Sequence, residues 1–271
     1  MTSSPRATAR LAALVERLGG LGSALLAYSG GVDSTFLAHV AGEVLGEGFL
    51  AVTAASETYP ERERRKAEEF AKQFGFQHVT VSTSELGIAG FSENPPDRCY
   101  YCKKELFETL KRIAGTRGIA HVLDGQNADD ADDYRPGAKA ARELGVISPL
   151  KDAGLTKDEI RELSRERGLP TWNKPAYACL ASRFPYGQKI TAEKLDRVGT
   201  AEEALRSMGL VQLRVRDDRG TTARIEVPPE DISRLAGELR GEIVRRLKAL
   251  GYKYVSLDLE GYRTGSMNEV L

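Results

Sequence analysis

The stretch "ALLAYSGGVDSTFL" (residues 24–37) decides the fold of this chain. It begins with a short apolar run, continues through Ser29, Gly30 and Gly31, and ends in a helical pattern that runs to about Leu45. An apolar run followed by turn residues and a helical pattern predicts a buried strand, a tight loop and a helix. The stretch therefore predicts the first strand–loop–helix unit of an α/β domain.

Strand and helix patterns continue to alternate after this stretch. Such alternation predicts an α/β fold with a parallel sheet, in which ligands bind at the carboxyl ends of the strands. Those ends carry residues 29–31, Ser56 and residues 125–127. The expected elements are strands at residues 49–56, 78–83 and 121–125, and helices at residues 60–74 and about 99–112.

A smaller α+β module is expected after the parallel-sheet domain. A helix at residues 156–167 ends at Gly168, and an irregular stretch follows it. We predict a nucleotide-binding domain at residues 1–168, a cysteine-bearing connection at 169–190 and an α+β substrate or oligomerisation domain at 191–271. Its expected elements are a helix at 191–208, strands at 211–216 and 222–228, a helix at 229–250 and a strand at 252–258.

Composition disfavours several classes of protein. Lys plus Arg equals Asp plus Glu at 39 each, which disfavours a general nucleic-acid binder. No apolar run approaches the roughly 20 residues that span a membrane. Leu11, Leu14 and Leu18 predict an amphipathic N-terminal helix rather than a targeting segment. Three cysteines cannot close a disulfide framework, so we expect a cytoplasmic protein.

The glycine loop is a candidate phosphate site. Glycines allow close approach of the backbone to a ligand, and N–H groups at a helix start attract anions. Ser34 could cap the helix or donate to phosphate, and Asp33 could hold a cation. A tight turn with an ordinary helix cap is the alternative. The loop lacks the Gly-Lys-Ser/Thr of a Walker A motif and the Gly-x-Gly-x-x-Gly of a dinucleotide site.

At these residues the sequence resembles the PP-loop ATP pyrophosphatases, whose signature is Ser-Gly-Gly-x-Asp-Ser. The resemblance implies cleavage of ATP between the α and β phosphates, with pyrophosphate in the loop and Mg²⁺ beside it. The segment "LDGQNADDADDY" (residues 123–134) resembles the second acidic element of this superfamily. Asp129 and Asp130 are therefore candidate Mg²⁺ or ribose contacts, although an acidic helix start explains them almost as well. The expected ATP contacts are Ser29, Gly30, Gly31, Asp33, Ser34, Ser56 and Asn127, and the expected Mg²⁺ ligands are Asp33 and Asp129.

The three cysteines form a second candidate site. Cys99 and Cys102 lie in "PDRCYYCKK" (residues 96–104), and Cys179 lies in "AYACLASRF" (residues 176–184). A redox pair of Cys99 and Cys102 would give Cys179 no role. A zinc site on the three cysteines would need a fourth ligand, and the chain has few histidines. His39, His78 and His121 all occupy positions typical of structural histidines. Three thiolates could hold a [4Fe–4S] cluster with one open iron, whereas three unrelated buried thiols are the alternative.

Arginines alternate with apolar residues in the second module. Arg214 and Arg216 alternate with Leu213 and Val215, which predicts a half-exposed antiparallel strand pair with Arg224 and Glu226 on its partner strand. The arginine face is either a solvated surface or an anion site, because guanidinium groups bind phosphate bidentately. Arg183 and Arg263 could join this face.

Over nearly its whole length the chain resembles the LarE family of ATP-dependent sulfur transferases. The resemblance rests on "AYSGGVDSTFLA", "DGQNADDADDYRPGAKAARELGVISPL", "KPAYACLASRFPYG", "ARIEV" and "GYRTGSMNE". It implies adenylation of a pyridinium carboxylate mononucleotide and replacement of carboxylate oxygen by sulfur, in synthesis of the nickel-pincer nucleotide cofactor of lactate racemase. It further implies Arg183, Arg214, Arg216 and Arg263 as candidates for the substrate phosphate, with Glu203 and Glu226 nearby.

The family uses two sulfur sources. Some members give up the sulfur of one cysteine, at the position of Cys179, in a single turnover. Others carry an additional Cys-x-x-Cys and hold a [4Fe–4S] cluster on three cysteines, and the open iron of that cluster can carry an extra sulfide for transfer. Cys99 and Cys102 group this chain with these members. We also expect a homo-oligomer and a separate sulfide source. The alternatives are sacrificial use of Cys179, a PP-loop tRNA thiolase, and a nucleotide-binding cluster scaffold or sensor without catalysis.

Overall fold

The computed structural model describes residues 3–131, 136–175, 177–263 and 265–270. Three predicted motifs extend outside these ranges, at residues 132–134, at Ala176 and at Thr264. Two compact units divide the chain: Met1–Ser84 with Asp97–Tyr177, and Glu85–Pro96 with Ala178–Leu271. The boundaries expected at residues 168 and 190 stay a prediction.

The first unit is a parallel sheet with helices on both faces. Its elements are α1 (Pro5–Gly19), β1 (Ala24–Ala27), α2 (Val32–Leu45), β2 (Phe49–Ala55), α3 (Glu61–Phe74), β3 (His78–Ser82), α4 (Arg98–Thr116), β4 (His121–Leu123), α5 (Pro136–Glu143), α6 (Pro149–Asp152) and α7 (Lys157–Glu166). Strand order is β3-β2-β1-β4, and every described pair is parallel. The predicted α/β class is thereby confirmed.

Alternate residues of β1 pack into two different cores. Ala24 and Leu26 join the core formed with α1, α2 and α7, whereas Leu25 joins the core formed with α4. In register, Leu25 pairs with Leu50 on one side and Val122 on the other. Because both faces of a central parallel strand are covered, its sequence is a continuous apolar run. This packing fixes the strand end from which the glycine loop leaves the sheet.

The second unit has a mixed three-stranded sheet and three α-helices in its described part. Its elements are α8 (Ala192–Arg206), β5 (Arg214–Asp218), β6 (Thr222–Glu226), α9 (Pro229–Ala236), α10 (Arg240–Ala249) and β7 (Tyr254–Leu257). The strand order is β5-β6-β7, in which β5 and β6 are antiparallel and β6 and β7 are parallel. Val215 and Ile225 are paired and face a core that includes Leu205 and Leu247.

Two element predictions in the second unit were wrong. The helix expected at 229–250 is two helices, because Gly237 has φ −100° and ψ −94°, outside the helical region. Strand β5 begins at Arg214 rather than at residue 211, and Val211 is 73% exposed. Within the described ranges no helix has the length and apolarity needed to cross a membrane.

Candidate functional site

The turn between β1 and α2 requires glycine at position 30. Gly30 has φ 61°, in the left-handed region that other residues rarely adopt. A Cβ added to Gly30 would lie 3.0 Å from the Cβ of Ala67 in α3. The backbone conformation and the close packing both disfavour a side chain here. The loop is thus held tightly against α3.

The hydroxyls of Ser29 and Ser34 lie side by side at the start of α2. Their Oγ atoms are 3.0 Å apart, and Ser34 Oγ accepts the N–H of Ser29 at 3.3 Å. Gly31 precedes the helix in an extended conformation, and no side-chain hydrogen bond caps the described first turn. Ser34 therefore does not act as the helix cap. N–H groups at such a helix start attract anions, so this polar surface is suited to a phosphate group.

Gly125, after β4, packs against the backbone of Ser34. A Cβ at Gly125 would lie 3.3 Å from Ser34 N and 3.4 Å from Ser34 Cα. That contact fixes the carboxyl end of β4 beside the glycine loop. A Cβ at Gly31 would lie 3.4 Å from Ser29 Oγ, so the side of Gly31 that lacks a side chain faces the serine hydroxyls.

Asp33 belongs to a polar network that joins three segments of the first unit. Its carboxylate accepts hydrogen bonds from Lys157 Nζ at 2.5 Å and from Asn127 Nδ2 at 3.3 Å. Asn127 Oδ1 accepts the N–H of Asp129 at 2.9 Å, and Asp129 accepts the N–H of Lys157 at 2.7 Å. The structure thus brings together Asp33, Asn127 and Asp129, and adds the cation of Lys157.

Ser56 lies just beyond the carboxyl end of β2, as predicted. Its hydroxyl is 3.3 Å from Thr58 Oγ1, and its carbonyl accepts the N–H of Tyr59 at 3.1 Å. These contacts shape the turn that leads into α3. The role of Ser56 as an ATP contact stays a prediction.

Cys99 and Cys102 lie on the first turn of α4. Cys99 is exposed and Cys102 is half-buried. Residues three apart on a helix lie on the same side of it, so the two side chains are neighbours. A Cβ at Gly137 in α5 would lie 3.5 Å from the carbonyl oxygen of Cys99, which shows how closely α5 approaches this turn. The pair therefore places one exposed and one half-buried cysteine on the same side of the helix.

Cys179 lies in the second unit, on a backbone held by hydrogen bonds. It is half-buried and extended, with φ −55° and ψ 151°. Its carbonyl accepts the Ser182 N–H at 3.0 Å and the Ser182 hydroxyl at 2.8 Å. Arg183 Nη1 donates to the Ala178 carbonyl at 3.3 Å. The backbone on both sides of the thiol is therefore fixed.

Thiolates are the usual ligands of iron–sulfur clusters, and the three cysteines fit that chemistry. No disulfide joins them. In the part of the chain that the structure describes, no group of three or more His, Cys, Asp or Glu side chains is arranged to hold a metal ion. The predicted cluster ligands and Mg²⁺ ligands therefore stay predictions.

Arg183 is almost fully buried against a carboxylate. Its Nε donates to Glu202 Oε1 at 2.6 Å and its Nη2 to Glu202 Oε2 at 3.3 Å. Burial opposes ionisation of Glu202, but Arg183 and Arg206 outweigh it and lower the pKa of that carboxyl. Arg206 donates to Glu202 at 3.0 Å. The charge of Arg183 is thus largely neutralised inside the protein.

The predicted half-exposed arginine face was wrong, because Arg214 and Arg216 are only 8% and 5% exposed. Arg216 forms two hydrogen bonds with Glu226, at 2.7 and 3.2 Å. Arg214 donates to Tyr262 Oη and to the carbonyl of Arg263, both at 2.9 Å, and its guanidinium lies 4.1 Å from the Tyr262 ring centre. These neighbours, on β6 and on the C-terminal segment, cover the face.

Arg214 differs from the other predicted arginines in its charge balance. Its nearest carboxylate oxygen, on Glu226, is 3.7 Å away, and its hydrogen bonds go to uncharged groups. Arg263 is 39% exposed and pairs with Glu260 at 2.7 Å and with Glu269. Burial is the main reason that the pKa of Arg214 is lowered. Among the three buried arginines of this predicted set, Arg183, Arg214 and Arg216, Arg214 is therefore the least neutralised.

Comparison with known proteins decides the family. The asparagine synthase family model matches residues 13–130. An uncharacterized protein of Synechocystis sp. is 47% identical over 263 residues, covering 97% of this chain and 98% of that protein. The pyridinium-3,5-bisthiocarboxylic acid mononucleotide synthase of Lactiplantibacillus plantarum is 40% identical over 261 residues, covering 96% of this chain and 94% of the synthase. The chain belongs to the LarE family.

Membership confirms the resemblance that the sequence motifs indicated. This LarE-family chain is an enzyme of the PP-loop ATP pyrophosphatase type that transfers sulfur. The parallel sheet and the glycine loop after its first strand agree with that membership.

Lys157 and Glu202 of this LarE-family chain were not identified from the sequence. Lys157 begins α7 directly after Thr156, whose capping box with Glu159 is visible as Thr-x-x-Glu. Glu202 is buried on the same stripe of α8 as Val198, Ala201 and Leu205. The predicted Glu203 is exposed. A carboxylate on the apolar stripe of a helix was the signal for a buried ion pair.

Proposed function

We propose that this chain uses Mg·ATP to adenylate the carboxylate of a pyridinium carboxylate mononucleotide and then replaces a carboxylate oxygen with sulfur. The product would serve the synthesis of a nickel-pincer nucleotide cofactor. The observation that carries the proposal is the start of α2, where no side-chain hydrogen bond caps the first turn and the Ser29 and Ser34 hydroxyls lie 3.0 Å apart. It occurs in a chain 40% identical to a bisthiocarboxylic acid mononucleotide synthase.

Adenylation solves a chemical problem, because a carboxylate is a poor electrophile without a leaving group. In the first step a carboxylate oxygen attacks the α-phosphorus of ATP, the bond to the β-phosphate oxygen breaks, and pyrophosphate leaves. In the second step a sulfide equivalent attacks the acyl carbon, the bond to the AMP oxygen breaks, and a thiocarboxylate and AMP form. Each turnover therefore releases one AMP and one pyrophosphate for each sulfur introduced.

The glycine loop supports the first step by stabilising the departing pyrophosphate. Negative charge increases on the bridging oxygen and on the β and γ phosphates as the bond breaks. Hydroxyls and N–H groups that are already oriented stabilise that charge without reorganisation. Ser29, Gly30, Gly31 and Ser34 are the residues proposed for this contact. Ser56 and Asn127 are proposed as further contacts of ATP.

Asp33 and Asp129 are the carboxylates proposed to hold Mg²⁺. Oxygen ligands suit this ion, and it usually binds through one or two carboxylates together with substrate phosphates. When bound, it would neutralise charge on the phosphates. Asp33 Oδ2 already lies 2.5 Å from Lys157 Nζ, so a cation lies beside the Asp33 carboxylate. Lys157 is thus positioned to balance the charge of Asp33.

Arg214 is our leading candidate for the phosphate of the mononucleotide. Arg183 and Arg216 each donate two hydrogen bonds to one buried carboxylate, whereas those of Arg214 go to uncharged oxygens. A phosphate that replaced these uncharged partners would gain a charge-assisted contact. Arg183, Arg216 and Arg263 would then assist Arg214 in binding this phosphate.

For the sulfur source we propose a [4Fe–4S] cluster held by Cys99, Cys102 and Cys179, which would supply sulfide repeatedly when bound. Three thiols and the absence of a disulfide among them support this choice. If Cys179 were instead consumed, a variant lacking Cys99 and Cys102 would still form one product per chain.

ATP–pyrophosphate exchange tests the adenylation step alone. Wild-type protein with Mg²⁺ and the carboxylate mononucleotide should exchange labelled pyrophosphate into ATP, and Ser34→Ala should reduce that exchange at least tenfold. Ser84→Ala, at an exposed serine of the same unit, is the matched control and should match wild type. Absence of substrate-dependent exchange in wild-type protein would refute the proposal.

A further inference from the structure

Two consecutive carbonyl groups of the glycine loop accept hydrogen bonds from side chains outside it. Tyr59 Oη donates to the Ser29 carbonyl at 2.7 Å, and Lys174 Nζ donates to the Gly30 carbonyl at 2.8 Å. All described peptide bonds are trans. In a trans peptide group the C=O and N–H bonds point in opposite directions. The two side chains thus determine where the N–H groups of Gly30 and Gly31 point.

The lysine of this pair is itself fixed by a buried carboxylate. Glu63 Oε2 forms an ion pair with Lys174 Nζ at 2.7 Å, and the side chains of Glu63 and Lys174 are 4% and 16% exposed. Arg62 also donates to Glu63, at 2.8 Å. Burial lowers the pKa of Lys174, and it raises the pKa of Tyr59, so the tyrosine hydroxyl keeps the proton that it donates. A buried, paired lysine is a rigid anchor and not a mobile surface cation.

A third constraint acts on the same peptides. Gly30 packs against Ala67, one turn beyond Glu63 on α3. Rotation of either loop peptide would break one of the two hydrogen bonds. It would also replace an N–H donor by a carbonyl oxygen on the opposite side, which repels an anion. Helix α3 and the segment of Lys174 thus hold the loop in the orientation in which the N–H groups of Gly30 and Gly31 can face an anion.

We propose that Tyr59 and the Lys174–Glu63 pair are positioning residues that aim the Gly30 and Gly31 N–H groups at the pyrophosphate part of ATP. This inference rests on the proposed function, because it assumes that the loop binds pyrophosphate. Neither side chain needs to touch the ligand. Each acts through a loop carbonyl, and together they keep the anion site formed before ATP arrives.

Binding of two probes to the full chain tests this inference. Inorganic pyrophosphate with Mg²⁺ reports on the loop, and AMP reports on the rest of the nucleotide site. Tyr59→Phe removes one hydrogen bond, and we expect about fivefold weaker pyrophosphate binding with unchanged AMP binding. Lys174→Met should weaken pyrophosphate binding more than tenfold, and Lys174→Arg, which keeps a charged donor, should restore most of it.

Matched variants and a double variant separate positioning from other roles. Tyr254→Phe, at a tyrosine that is 66% exposed, and Lys72→Met, on the exposed side of α3, should bind both probes as wild type does. Because both anchors act on neighbouring peptides, the combined loss in Tyr59→Phe/Lys174→Met should be smaller than the product of the single losses.

Three results would overturn the inference. The first is pyrophosphate binding by Tyr59→Phe equal to that of wild type. The second is an equal loss of pyrophosphate and AMP binding together with a lower melting temperature, which indicates general destabilisation. The third is fully multiplicative losses in the double variant, which indicate that Tyr59 and Lys174 act independently and not through one shared loop conformation. If wild-type protein itself bound no pyrophosphate, the proposed function would fail first.

Discussion

Glu202 Oε1 lies 2.6 Å from Arg183 Nε, and the two side chains are 0% and 2% exposed. The same carboxylate oxygen accepts the N–H of Val215 at 3.2 Å. Glu202 therefore connects α8, strand β5 and the segment that follows Cys179. Arg183 lies four positions after Cys179, so this buried ion pair is near the proposed sulfur chemistry in sequence.

Loss of Glu202 should destabilise the protein strongly. Removing one member of a buried ion pair leaves an uncompensated charge, which typically costs about 3–5 kcal/mol. We expect Glu202→Gln to lower the free energy of unfolding by about 3 kcal/mol, measured by urea denaturation. Glu238→Gln, at an exposed position of the same unit, should change it by less than about 0.5 kcal/mol. Equal unfolding curves for the two variants would contradict this interpretation.

The same carboxylate should contribute to acid sensitivity. Its pKa in the folded protein is lowered below the ordinary value of 4.5, because Arg183 and Arg206 outweigh the effect of burial. A lowered carboxyl pKa stabilises the fold above the unfolded pKa, and that stabilisation is lost as pH falls through the folded pKa. The free energy of unfolding of wild type should therefore decline below about pH 4.5, with a smaller decline for Glu202→Gln. If the free energies of unfolding of wild type and Glu202→Gln changed with pH in parallel, Glu202 would not be a cause of the acid sensitivity.

Gly30→Ala should damage the loop, because it combines an unfavourable conformation with a close contact. A left-handed conformation costs a non-glycine residue about 1–2 kcal/mol, and the new Cβ would lie 3.0 Å from Ala67 Cβ. We expect KM for ATP to rise more than tenfold in a steady-state assay of AMP release. In Gly115→Ala, where a Cβ meets no atom within 4 Å, KM should stay at the wild-type value. An unchanged KM in Gly30→Ala would show that loop geometry does not matter.

The cysteine proposal leads to a metal prediction. Anaerobically reconstituted wild-type protein should contain about four irons per chain, and replacement of any single cysteine by alanine should abolish stable binding. Iron analysis and visible absorbance measure this directly. Multiple turnovers by a preparation that contains zinc and no iron would contradict the cluster. Formation of one product per chain by Cys99→Ala/Cys102→Ala would instead show that Cys179 is consumed.

Local patterns were sufficient to predict the parallel sheet and its glycine loop. The apolar run at residues 24–27 and the turn at residues 29–31 carry their own signals, since strand burial and turn conformation depend on adjacent residues. Asn127 was predicted because strand ends in a parallel sheet meet at one edge, whereas Asp129 was predicted from the resemblance to the second acidic element of the PP-loop superfamily. Asn127 donates to Asp33 and accepts the N–H of Asp129, so the three residues do lie together.

Long-range contacts could not be predicted in this way. Lys174 is 144 positions from the carbonyl of Gly30, and no local pattern connects them. Alternation along β5 identified which residues share a face with Arg216, but it could not show that Glu226 and Ser266 cover that face. Burial of a polar face depends on what packs over it, and that information lies elsewhere in the chain.

Joint measurement of AMP and thiocarboxylate in one reaction tests the central claim most directly. Wild-type protein, Mg·ATP, a sulfide source and the carboxylate mononucleotide would be incubated anaerobically, and both products would be quantified by mass spectrometry. We expect AMP and thiocarboxylate in equal amounts, exceeding the amount of enzyme. ADP in place of AMP, or AMP without any sulfur-containing product, would contradict the claim that this chain adenylates a carboxylate in order to introduce sulfur.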